Sequence, residues 1–147
     1  MSGASISPEI KTLTINYFPV NATLAPPTTG QRFTEALRDI FQTQTSLKLL
    51  PKNGDLLFSG SITGYSTMPL AVQGNSSSIT SVTNRLTITV NVKFQNTKDE
   101  KQNFETSFSR FSDYSSSSNL VDVQDKLIKE INEQLVQDVF NKSVTNW

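Results

Sequence analysis

The sequence predicts an α+β fold, a two-layer sandwich in which two helices pack on one face of a mainly antiparallel four-stranded sheet. Three observations predict it. Over residues 84–95, Leu86, Ile88, Val90, Val92 and Phe94 alternate with Arg85, Thr87, Thr89, Asn91 and Lys93, and because successive strand side chains point to opposite faces, one face is apolar and the other wet. A strand buried on both faces would read as a continuous apolar run, so this sheet is covered on one side only. Over residues 31–45 and 120–144 the apolar residues instead recur at spacings of three and four, the period of an amphipathic helix. Finally, the order strand, helix, short strand, three closely spaced strands, helix implies an initial crossover followed by a meander.

Each element has its own signal. Residues 1–9 are small and polar at their start and are expected to be loose. Residues 10–20 alternate, with Leu13, Ile15 and Tyr17 on one face, until Pro19 ends the strand. Pro26, Pro27 and Gly30 exclude regular structure before the first helix, for which Thr28 or Thr29 would serve as N-cap. Leu47 to Leu50 form a short apolar run, and Asn53-Gly54 then reads as a hairpin turn into a strand over 56–65. On that strand Gly60 and Gly64 share a side with Leu56, Phe58 and Ile62, leaving room for a helix to approach.

Residues 67–80 read as a loop with an apolar shoulder, Met68 to Val72, and a Gly-Asn-Ser tip. After the central strand, Lys98 to Lys101 form a solvated turn. Phe104, Thr106 and Phe108 resume the alternation, but Phe111 falls out of phase and suggests a bulge or strand end near Arg110. Ser118 or Asn119 is placed to cap the last helix, whose stripe is Val123, Leu127, Ile131, Leu135 and Val139.

Composition narrows function. The 147-residue chain is expected to form one domain over 1–147, with 13 Lys plus Arg balancing 13 Asp plus Glu, so no global field draws it to nucleic acid. Cysteine and histidine are absent, which removes thiol chemistry, imidazole acid-base catalysis and the commonest zinc ligands. A hydrolase would need a Ser-Lys or Asp-Asp site, and no spacing announces one. Asp113, Asp122, Asp125 and Glu130 spread around the polar side of the last helix and its approach, the pattern of solvated charge, so no metal or other cofactor is expected. No apolar run approaches the roughly 20 residues that span a bilayer, while abundant Ser, Thr and Asn with few charges point to an envelope protein.

Two features stand out as contact surfaces: the outward sheet face of Thr87, Thr89 and Asn91 with Arg85 and Lys93 as its cations, and the shoulder at Met68 and Leu70. Residues 55–65 (DLLFSGSITGY), 84–94 (NRLTITVNVKF), 104–114 (FETSFSRFSDY) and 135–147 (LVQDVFNKSVTNW) together resemble the LptE-type lipopolysaccharide-assembly lipoproteins, especially those of the Bacteroidetes. The resemblance implies two helices on a mainly four-stranded sheet. It also implies a non-enzymatic lipoprotein at the periplasmic side of the outer membrane that plugs an LptD-type β-barrel and contacts lipopolysaccharide. The family's mature chain begins with a lipid-bearing cysteine, so Met1 is expected to stand in place of a removed N-terminal segment. Arg85 and Lys93 are offered for lipopolysaccharide on their chemistry alone. The alternative is a freestanding periplasmic carrier for a lipid or other apolar ligand, which would need an enclosed apolar cavity between helices and sheet.

Overall fold

Alternation along one strand decides which side of the sheet becomes interior, and the computed structural model, which describes residues 6–71 and 82–144, follows it. The elements are β1 (Thr12–Ile15), α1 (Thr28–Gln44), β2 (Lys48–Leu49), β3 (Leu56–Ala71), β4 (Val82–Asn96), β5 (Phe104–Ser115) and α2 (Leu120–Val144). They build one five-stranded sheet in the order β2-β1-β3-β4-β5. Leu86, Ile88, Val90, Val92 and Phe94 of β4 are fully buried on one face, and both helices lie on it. The fold is the predicted α+β sandwich, with a fifth strand because the two-residue β2 joins the edge beside β1.

Local chemistry shifts several boundaries. The first strand is four residues long rather than eleven. Beyond Ile15 the chain leaves the ladder, buries Phe18 and turns Tyr17 outward, and Val20 keeps only an isolated bridge to Ile62. Helix α1 begins at Thr28, earlier than expected. Neither threonine caps it: Pro27 holds the cap position without a side-chain hydrogen bond. At α2 the expectation holds for Asn119, whose Oδ1 accepts from the Val121 N–H at 3.2 Å.

Asn53-Gly54 does not close a hairpin. Asn53 does take a positive φ of 63°, but β2 and β3 both run parallel to β1 and flank it, so the chain passes across β1 between them. A Cβ on Gly54 would lie 2.5 Å from the Leu13 carbonyl carbon, which is why the crossing point carries no side chain. Asp55 then fastens the crossing. Its Oδ2 accepts from the N–H groups of Lys11 at 2.9 Å and Thr12 at 3.2 Å, its own N–H donates to Thr12 Oγ1, and its carbonyl accepts from the Thr97 N–H and hydroxyl.

Strand β3 continues through the residues expected to form the start of a loop, pairing with β4 as far as Ala71, so Met68 and Leu70 are strand residues; Val72 and the tip lie outside the described residues. A register shift between Ile62 and Gly64 turns Gly64 to the outward face, opposite Thr89, and brings Tyr65 inward. Gly60 makes room for a ring and a neighbouring strand rather than for a helix. At its φ of +149° a Cβ would meet the Asn91 carbonyl oxygen at 1.9 Å and Phe18 Cε2 at 2.9 Å. Strand β5 has neither bulge nor end near Arg110: it pairs with β4 without interruption from Phe104 to Ser115.

The interior is filled by aromatic rings that cross every layer. Phe41 of α1 lies 5.1 Å from Phe58 and 5.0 Å from Phe140 of α2, Phe58 lies 4.9 Å from Phe94, and Phe94 lies 5.2 Å from Phe104. These are the offset and edge distances at which ring quadrupoles attract. At the rim, Arg110 donates to both carboxylate oxygens of Asp138 at 2.7 and 2.8 Å, and Ser112 donates to Glu130 at 3.0 Å, tying β5 to α2. Among the described residues no helix is long and apolar enough to cross a membrane.

The N–H of Lys11, with that of Thr12 and the charge of Lys98, holds the Asp55 carboxyl below its ordinary value against the opposing effect of burial. A lowered folded-state pKa means stability present in full at neutral pH and lost as pH falls through the acid range below about 4. Asp55→Ala is therefore expected to cost about 2 kcal/mol at pH 7. In denaturant titrations at pH 7 and pH 3 the gap between variant and parent should narrow at the lower pH.

Candidate functional site: the outward face of the sheet

The pleat that buries one side of β4 sends Arg85, Thr87, Thr89, Asn91 and Lys93 to the other, over about 27 Å of strand. Register brings the neighbouring strands into phase with them. On β3, Ser59 lies opposite Lys93, Ser61 opposite Asn91, Met68 opposite Arg85 and Leu70 opposite Thr83. On β5, Glu105 lies opposite Lys93, Ser107 opposite Asn91, Ser109 opposite Thr89, Phe111 opposite Thr87 and Asp113 opposite Arg85. All seven residues singled out in the sequence therefore share one face.

This face pairs its own polar groups across strands. Arg85 donates to both oxygens of Asp113, from Nε at 2.9 Å and Nη2 at 3.2 Å, and its guanidinium carbon stands 3.7 Å from the centroid of the Phe111 ring. Such stacking draws a cation to the negative face of an aromatic ring. Thr89 and Ser109 share a hydroxyl hydrogen bond of 2.7 Å, and Asn91 Nδ2 donates to Glu105 at 3.1 Å. Lys93, exposed, makes no ion pair among the described residues. Met68, 61% exposed, and Phe111, 47% exposed, give the Arg85 end an apolar margin.

Across β3, β4 and β5 the charges on this face cancel: Arg85 and Lys93 are matched by Glu105 and Asp113. The Arg85 hydrogen bond, outweighing slight burial, holds the Asp113 carboxyl below its ordinary value, and the same bond raises the guanidinium. The other carboxylates are dispersed. Asp125 reaches Arg32 at 3.7 Å, Glu130 takes Ser112 and lies 4.0 Å from Lys126, and no metal-binding group of carboxylates occurs among the described residues.

The sequence matches a family model described as LptE, lipopolysaccharide-assembly, over residues 10–143. This chain belongs to the LptE family. Membership assigns it a general role in lipopolysaccharide assembly, which is not a catalytic one. No curated protein matches the sequence. Solved structures with the same fold include protein XCC0632 of Xanthomonas campestris, at 10% identity and a TM-score of 0.57, covering 96% of this chain and 90% of that one. Rare lipoprotein B of Shewanella oneidensis is similar at 11% identity and a TM-score of 0.53, covering 89% and 92%. PelC of Paraburkholderia phytofirmans is similar at 8% identity and a TM-score of 0.52, covering 98% and 96%. At these identities the likeness is one of fold.

The half of this LptE-family face contributed by β5 was missed in the sequence. Glu105, Ser107, Ser109, Phe111 and Asp113 keep strict alternation, and reading Phe111 as outward-facing rather than out of phase would have found them. In a pH titration followed by carboxyl NMR shifts, Asp113 should titrate below the ordinary aspartate range. In Arg85→Gln its midpoint should move upward, toward that range.

Proposed function

We propose that this LptE-family chain is a non-enzymatic outer-membrane assembly factor, lipid-anchored at the periplasmic side, that seats its outward sheet face in the polar interior of an LptD-type β-barrel. The observation that carries this reading is the internal charge balance of a face otherwise built from Ser, Thr and Asn. The interior of an outer-membrane barrel is polar, and a wall entering it must give up water. Hydroxyls and amides can exchange water for barrel groups at small net cost, whereas an uncompensated charge would be expensive to desolvate. Here Asp113 neutralises Arg85, and Glu105 stands opposite Lys93.

The same face offers contacts to lipopolysaccharide. Of the two cations on β4, Lys93, exposed and outside any ion pair among the described residues, is the more open to a phosphate. Arg85 would first have to leave Asp113, while Met68 and Leu70 present apolar surface at that end. The carrier reading is less well supported, because the space a lipid would need between helices and sheet is occupied by the Phe41, Phe58, Phe94 and Phe140 rings.

The test is to produce the protein in its own type of cell behind its native lipoprotein signal and recover it from detergent-solubilised outer membrane. A barrel of the LptD kind should accompany it in stoichiometric amount. Because the wall formed by β3, β4 and β5 carries no net charge, washing at about 1 M salt should leave the complex intact. Recovery of the chain alone would overturn the proposal.

A further inference from the structure

The two edges of the sheet are built differently. At one, β2 is two residues long, carries Lys48 and is followed closely by Pro51, the usual means of blunting an edge. At the other, β5 runs twelve residues without proline, lysine or bulge. The direction of its backbone groups follows from the ladder. The Phe58 and Ile62 carbonyls accept from Asn16 and Asn21 on the β1 side, and the Ile62 N–H donates to Pro19 there. Leu57, Ser59 and Ser61 thus face β4, where they meet Gln95, Lys93 and Asn91, so the intervening Val92, Val90 and Ile88 turn toward β5. Their partners are Thr106, Phe108 and Arg110.

The N–H and C=O groups of Glu105, Ser107, Ser109, Phe111 and Asp113 therefore point off the sheet, at a repeat of about 6.8 Å. No hydrogen bond from another described residue reaches them. Their side chains are the β5 half of the polar face, so a strand added here would widen that face by one column. On the inward side, Phe104 and Phe108 are only partly buried, leaving ring surface for the inward residues of such a strand.

We infer that the β5 edge is a strand-addition site that takes an extended segment of the barrel partner, an inference resting on the docking proposed above. A second copy of this chain fits less well. Two-fold pairing about Ser109 would set Glu105 against Asp113, and pairing about Arg110 would set that arginine against itself, so the two registers that pair nearly the whole strand both bring like charges together. A partner's strand is free to choose its register, and its main-chain groups supply the hydrogen bonds whatever its sequence.

Proline separates this role from folding. At Ser107 and Ser109 it removes an N–H that makes no bond to β4, as an edge strand tolerates. The double variant Ser107→Pro, Ser109→Pro should keep a melting temperature near that of the parent, while the barrel recovered from native outer membrane falls at least about tenfold. A photoreactive side chain at position 109 of the otherwise unchanged protein should crosslink to the barrel chain. Undiminished recovery with a folded double variant would overturn the inference, as would crosslinking to a second copy alone. Should the double variant fail to fold, the crosslink at 109 decides. If the parent itself recovers no barrel, the docking proposal fails, and this inference with it.

Discussion

Every side chain that fills the interior reaches it from one side of a single sheet, and the pleat of β4 sets that side. Leu86, Ile88, Val90, Val92 and Phe94 cannot face water together, so both helices must lie over them. The same geometry obliges Arg85, Thr87, Thr89, Asn91 and Lys93 to form an uncovered wall. Core and candidate docking surface are thus two faces of one constraint. A slip of one residue in the β3–β4 or β4–β5 register would exchange them.

Register is held against such a slip by several separate devices. Asp55 bonds β1 to the start of β3 and, through Thr97, to the end of β4, so three strands share one pin. Gly60 and the register shift after Ile62 let β3 pass close to Phe18 and then change phase, which turns Tyr65 inward and puts Met68 on the polar face. At the far side, Arg110 on Asp138 and Ser112 on Glu130 tie the last strand to the last helix. None of these contacts covers the outward side chains of β4.

Local pattern carried much of this in the sequence. Helix α2 and strand β4 could be read to within about two residues because each holds one period over its whole length. What could not be read depends on contacts distant along the chain. Nothing near Asn53-Gly54 says that the chain crosses β1 instead of turning back, since parallel pairing to β1 is made with residues some forty positions away. The phase change between Ile62 and Gly64 leaves no mark on composition, so alternation alone puts Gly64 on the wrong face. On the candidate site, Arg85 and Lys93 were visible as cations, but their neutralisation was not. Asp113 meets Arg85, and Glu105 stands opposite Lys93, only through the β4–β5 register, which reading Phe111 as out of phase interrupts.

In the docking proposed above, the wall and not the helix layer meets the partner. The direct measurement is site-specific photocrosslinking in intact cells, comparing a reactive side chain at Thr87 or Asn91 with one at Gln134, which is exposed on α2. Adducts with a β-barrel of the LptD kind are expected from the two wall positions and none from the helix. Adducts from Gln134 with none from the wall would contradict it and place the contact on the opposite layer.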